Sequence, residues 1–172
     1  LYIYGAGKVA KIIYKVCTEN GIKIKGFRKY RREAELQSGT GDIFSIYNRL
    51  KDILQLSEEQ KNIILAEEIE CEKKCLIPRK QIVELLQYAI SLGKVVNIIS
   101  DMYLTSDILE DILTEKGVTG YKKIYVSCEH GVGKGSGLFE IYKIDMKGKN
   151  CLHIGDNMGA DVISARKSGM DA

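Results

Sequence analysis

The sequence predicts an α/β protein: a parallel sheet flanked by helices in three layers, preceded by a block of helices. Three observations carry this. Short apolar runs at Val95–Ile99, Ile124–Val126 and Cys151–Ile154 have strand length and composition. A helix-length amphipathic stretch separates each run from the next, the pattern of parallel strands joined by right-handed crossovers. From Arg28 to Tyr88 the apolar residues recur at helical spacing instead.

At the start of the chain, Leu1-Tyr-Ile-Tyr4 followed by Gly5-Ala-Gly7-Lys-Val-Ala10 reads as a strand entering a helix through a glycine turn, and Ile22–Phe27 as a second strand. Residues 1–27 are thus expected to be a fragment of a nucleotide-binding-like βαβ unit, with Gly5 and Gly7 as cofactor contacts. Ala10 stands where the third glycine of that fingerprint falls, and no acid ends the second strand. Residues 28–90 are expected to be helical. Asp42 has the character of an N-cap, Ser57-Glu-Glu-Gln60 that of a capping box, and Pro78 opens a helix carrying Ile82, Val83, Leu85, Leu86, Ala89 and Ile90 that Gly93 ends. In residues 91–172 the strand at Val95–Ile99 leads to a helix with Ile108, Leu109, Ile112 and Leu113, which Gly117 ends. The strand at Ile124–Val126 leads to Leu138, Ile141 and Tyr142, and Cys151–Ile154 leads to Val162, Ile163 and Ala165.

Composition narrows the function classes. With 172 residues and 45% apolar content the chain can bury a proper core. No uninterrupted apolar stretch approaches the roughly 20 residues of a spanning helix, and no leader with a cleavage site opens the sequence, so a cytoplasmic protein without membrane contact is expected. The net charge of +3 is mild, and the basic run Arg28-Lys-Tyr-Arg-Arg32 is too short to argue for nucleic acid. Cys17, Cys71, Cys75, Cys128 and Cys151 are odd in number and lie in apolar periodic segments, as reduced core thiols do. Cys71 and Cys75 have helical spacing suited to a shared ligand, but no second Cys or His pair accompanies them.

The chemistry concentrates at strand ends. Cys151-Leu-His-Ile-Gly-Asp156-Asn-Met-Gly-Ala-Asp161 is an apolar strand, a glycine turn and two carboxylates ahead of a helix, an oxygen cluster of the kind hard cations such as Mg²⁺ take. Lys94-Val-Val-Asn-Ile-Ile-Ser100-Asp101 ends a strand in a hydroxyl, and Gly131-Val-Gly-Lys134-Gly-Ser-Gly137 presents a lysine in a glycine-rich loop. Each has a plainer reading: Ser100 and Asp101 as caps of the next helix, Lys134 as a solvated loop residue, Asp156 and Asp161 as acids favoured by a helix dipole. In order and at the carboxyl ends of strands, where such sheets bind ligands, they read together as a phosphoryl-handling site. His153 reads as a core residue of its strand, and His130 as a loop residue without an identifiable partner.

This ordered series resembles the haloacid dehalogenase-like (HAD) superfamily of phosphohydrolases over about Arg28 to Ala172. The resemblance implies a three-layer Rossmann-like fold in which the helices of residues 28–90 form a cap inserted before the second motif and residues 91–172 form the core. It implies that Ser100, with Asp101, binds the phosphoryl oxygens, that Lys134 neutralises phosphate and nucleophile, and that Asp156 and Asp161 are Mg²⁺ ligands or their close support. A small phosphorylated metabolite or sugar is the implied substrate. Ser100-Asp-Met-Tyr-Leu, Val126-Ser-Cys-Glu and Leu152-His-Ile-Gly-Asp-Asn are similar to the branch found beside, or fused to, bacterial glycosyltransferases, so such a domain or partner is a further expectation.

One part of the pattern is missing. The superfamily's first motif is an apolar strand ending in Asp-x-Asp, whose first acid attacks phosphorus and whose second is general acid and base. The nearest candidate, Gly41-Asp42-Ile-Phe-Ser-Ile-Tyr47, has one acid and no apolar strand before it. That strand lies mid-sheet in the superfamily, and its loss would leave neighbouring backbone groups unpaired. The expectation is a further segment joined near Phe27 and Arg28, with a degenerate protein in which Leu1–Tyr4 fills the gap as the alternative. In the latter case the chain is an inactive nucleotide or nucleotide-sugar binding module, or a scaffold for a glycosyltransferase domain.

Overall fold

The computed structural model describes residues 6–22, 24 and 26–172, with side chains from Lys11 onward. It is a mixed α/β structure, mostly helical, with a small parallel sheet. Helices α1 (Ala6–Glu19), α2 (Phe27–Gln37), α3 (Ile43–Leu54), α4 (Glu58–Cys75) and α5 (Lys80–Ser91) precede strand β1 (Ile98–Ser100). Helix α6 (Ser106–Glu115), strand β2 (Ile124–Val126), the single turn α7 (Ser127–His130) and α8 (Leu138–Met146) follow. A π-helical segment at Met158–Ile163 then runs into α9 (Ser164–Lys167).

The helix starts follow from local chemistry. Asp42 Oδ1 accepts from the backbone N–H groups of Phe44 and Ser45 at 2.9 and 3.0 Å, satisfying donors that the first turn of α3 cannot use itself. At α4 the Ser57 hydroxyl accepts from Gln60 N and the Gln60 side chain accepts from Ser57 N, a complete capping box. Packing then arranges the helices: α2 against α3, α3 against α4, and α1 against α4 and α2. Ile13, Ile46, Leu50 and Ile64 are fully buried there, each such side chain contributing about 1.5–3 kcal/mol. The same apolar cluster continues through Leu104, Leu109, Ile112 and Val126, so the helical block and the βα part share one core. A second, smaller cluster under α8 gathers Tyr125, Leu138, Phe139, Tyr142, Ala165 and Met170.

The sheet positions the site. Strand β1 pairs in parallel with β2, Ile98 opposite Ile124 and Ser100 opposite Val126, so both carboxyl ends open to the same side. The expected strand at Cys151–Ile154 is reduced to a single parallel bridge between Leu152 and Asp171, with His153 N donating to Asp171 O at 2.7 Å and Asp171 N to Cys151 O at 2.9 Å. Its other edge has no strand beside it among the described residues, and Leu152 and Ile154 are 67% and 54% exposed. A ladder with one partner residue cannot build a regular strand.

Two further expectations are corrected. Ile22–Phe27 does not continue as a strand to its end, because Gly26 takes the left-handed conformation (φ 77°) and turns the chain into α2 at Phe27. Regular pairing of the Val95–Ile99 run begins only at Ile98, Val95 being exposed. The strand at Leu1–Tyr4, and Gly5, lie outside the described residues; Gly7 lies within α1. Among the described residues no helix is long and apolar enough to cross a membrane.

Candidate active site

The site is assembled around a buried carboxylate. Asp161, 5% exposed, lies in the π-helical segment that follows the 155–157 turn. Its Oδ1 accepts from Lys134 Nζ at 2.6 Å and from His153 Nε2 at 3.1 Å, and its Oδ2 accepts from the backbone N–H of Asn157 at 3.0 Å. Burial pushes this carboxyl up, but the lysine, the amide and the imidazole together outweigh it and hold Asp161 at about 2. Burial, seconded by the Lys134 charge, lowers His153 below its ordinary value despite the pull of Asp161. The ring is therefore neutral at pH 7, and the tautomer consistent with the contact carries its proton on Nε2.

The turn before Asp161 is shaped around it. A Cβ on Gly155 would stand 2.3 Å from Asp161 Cγ, so only glycine lets the backbone pass the carboxylate there. The Asn157 side chain then caps the following segment by accepting from Gly159 N and Ala160 N. The wider π turn leaves both Asp161 N and Val162 N directed at Asn157 O, at 2.8 and 3.3 Å. Such widened turns recur at functional sites because they re-aim one side chain without ending the helix.

The lysine loop is tied to the end of β1. Lys134 N donates to Asp101 Oδ1 at 2.8 Å, which makes Asp101 a loop anchor and leaves the N-cap position of α6 to Thr105. Gly133 packs against the same carboxylate, where a Cβ would meet Asp101 Oδ1 at 3.2 Å. Asp101, Lys134 and Asp161 are thus linked through one chain of bonds beyond Ser100, the last residue of β1. A cavity of about 430 Å³ opens beside it, lined among others by Thr40, Gly41, Asp101, Tyr103, Ser127 and Gly133. The 39–41 loop of the helical block therefore forms one wall.

Asp156 stands apart. Its carboxylate is 71% exposed and its Oδ2 accepts from Arg79 Nη2 at 2.9 Å. Mg²⁺ commonly takes one or two protein carboxylates, with water and substrate phosphate oxygens completing its shell. Of the two acids expected to serve Mg²⁺, Asp156 faces solvent, while both oxygens of Asp161 are engaged by Lys134, His153 and the Asn157 amide. Among the described residues no group of three His, Cys, Asp or Glu side chains is disposed to hold a metal.

Sequence reasoning missed two participants. His153 faces Asp161 and stacks edge-on against Phe139 at 4.8 Å, so it joins the network rather than the core alone. Arg79 is 77 residues from Asp156 along the chain, and nothing in its local pattern signals the contact. His130, expected without a partner, stacks on Tyr125 with ring centroids 6.0 Å apart. The cysteines are all free: Cys17 and Cys71 buried, Cys75, Cys128 and Cys151 half-buried.

No protein-family profile matches the chain, and no curated protein matches it at a significant level. Among solved structures it is similar to YfnB of Bacillus subtilis, described as a HAD-hydrolase and crystallised bound to magnesium, with a TM-score of 0.56 at 14% sequence identity. The match covers 96% of this chain and 79% of that one. At that identity the likeness is one of fold alone, a mixed α/β architecture shared over most of both chains.

Proposed function

We propose that the chain carries the phosphate-binding half of a HAD-type phosphohydrolase acting on a small phosphorylated metabolite or sugar. The observation that carries the reading is Lys134. Its ammonium is held by buried Asp161 and its loop is fastened through Asp101 to the strand that ends in Ser100. An ammonium fixed in this way neutralises phosphoryl charge without reorganising as the reaction proceeds. Ser100 supplies a hydroxyl to the same oxygens, and the substrate's remaining part lies in the cavity walled by the 39–41 loop.

The nucleophile in this reading is an aspartate from a strand not seen among the described residues, seated in the slot between β1 and Cys151–Ile154. The partly buried residues of β1, the isolated Leu152–Asp171 bridge and the exposed Leu152 and Ile154 support that placement. Its carboxylate oxygen bonds to phosphorus as the ester oxygen leaves, and water then attacks phosphorus to release phosphate and restore the carboxylate. Mg²⁺ at Asp156 would supply charge neutralisation at the phosphoryl oxygens.

The test is turnover of an aryl phosphate with and without Mg²⁺ by the polypeptide that contains the nucleophile strand. Lys134→Met is expected to lower turnover about 10²–10³-fold, and Asp156→Asn to remove its Mg²⁺ dependence while the fold persists. Undiminished turnover in both variants would sink the assignment. No turnover, together with a thermal shift on adding a nucleotide-sugar, would instead favour a binding module working beside a glycosyltransferase.

A further inference from the structure

Arg79 carries a contact from the helical block to a candidate metal carboxylate, Asp156. It occupies the N-cap position of α5, directly after Pro78, whose ring fixes the backbone leading into the helix. A cap residue ordinarily serves its own helix, but the Arg79 side chain makes no capping bond and its Nη2 instead donates to Asp156 Oδ2 at 2.9 Å. A carboxylate that already holds a cation must exchange it to take another.

We propose that Arg79 gates divalent cation access to Asp156: the guanidinium occupies the carboxylate in the cation-free protein, and cation binding displaces it. The proposal rests on the reading of Asp156 as the exposed metal carboxylate. The pair lies at the surface, 36% and 71% exposed, so the barrier it sets is modest and reversible. Exposed pairs of this kind cost an incoming cation a factor of about two to five. Competition for one carboxylate is reciprocal, so a bound cation in turn loosens the Arg79–Asp156 pair.

The experiment is Mn²⁺ binding to the 172-residue chain, read by electron paramagnetic resonance of the free ion. Arg79→Met is expected to tighten binding about two- to fivefold, and Arg79→Lys less than that. Lys80→Met, which removes a neighbouring charge not paired with Asp156, is expected to leave binding unchanged. Wild-type affinity in Arg79→Met, or no binding by it at millimolar Mn²⁺, overturns the gate. Loss of binding in Asp156→Asn with no change in Arg79→Met overturns the gate and leaves the metal reading intact. Full binding by Asp156→Asn overturns both.

Discussion

Asp161 shows how much one buried carboxylate can organise. Holding Lys134, His153 and the Asn157 amide at once, it fixes the ammonium, the neutral imidazole and the turn that presents Asp156. Asp161→Asn leaves the Lys134 charge nearly buried without its partner, and a loss of about 3 kcal/mol is expected in urea unfolding. The pair also sets a pH dependence. Because the folded-state value is depressed to about 2 from 3.8, its stabilisation is fully present above pH 3.8 and is lost as pH falls through 2. The wild type should therefore lose about 2 kcal/mol more than Asp161→Asn between pH 5 and pH 2; equal losses would show that Asp161 is not paired. Gly155→Ala puts a methyl group into the same carboxylate and should cost about 1–3 kcal/mol, checked by thermal unfolding.

Elements were the most readable level in the helical block. Asp42 and Ser57-Glu-Glu-Gln60 announce α3 and α4 because capping is decided within four residues, by side-chain oxygens satisfying nearby N–H groups. Ser57→Ala is expected to cost about 1 kcal/mol without altering Mn²⁺ binding, since α4 does not touch Asp156. Strands were less readable. The Cys151–Ile154 run has the composition of β1 and β2, yet it forms one bridge, because a strand is completed by what lies beside it. The polar cluster inside the helical block is also a product of packing. Arg31 donates to Glu68 Oε1 at 2.8 Å, the Tyr47 hydroxyl donates to Glu68 at 2.5 Å, and the Tyr103 hydroxyl donates to Glu72 at 2.6 Å. Burial pushes the Glu72 carboxyl up. Through Tyr103, whose carbonyl also accepts from Ile43 N at 2.8 Å, this cluster ties the helices to the loop that carries Asp101.

Across the whole molecule, two features set behaviour. The shared apolar core joins the helical block to the βα part, so the two should unfold together in a single transition. Among the described residues β1 and the Cys151–Ile154 segment each have an edge without a strand beside it, and with Leu152, Ile154, Met158 and Ile163 exposed they form an apolar surface of the kind that pairs with another chain. Sedimentation velocity of the 172-residue chain should therefore show concentration-dependent association. Ile154→Lys should suppress it without lowering the melting temperature, as that side chain is already solvated. Association unchanged in Ile154→Lys would place the contact elsewhere.

The sequence by itself determined what depends on near neighbours: the helix starts, the glycine stops, the order of hydroxyl, lysine and paired acids, and the absence of a recognisable Asp-x-Asp strand. These rest on spacing and on donors and acceptors a few residues apart, so a linear reading reaches them. Only the tertiary structure decided the partners. It turned Asp101 to the Lys134 amide, drew His153 out of its expected core role to Asp161, brought Arg79 across 77 residues to Asp156, and left the third strand with a single bridge. Each is set by which surfaces pack together, and packing is a property of the folded chain rather than of any segment along it.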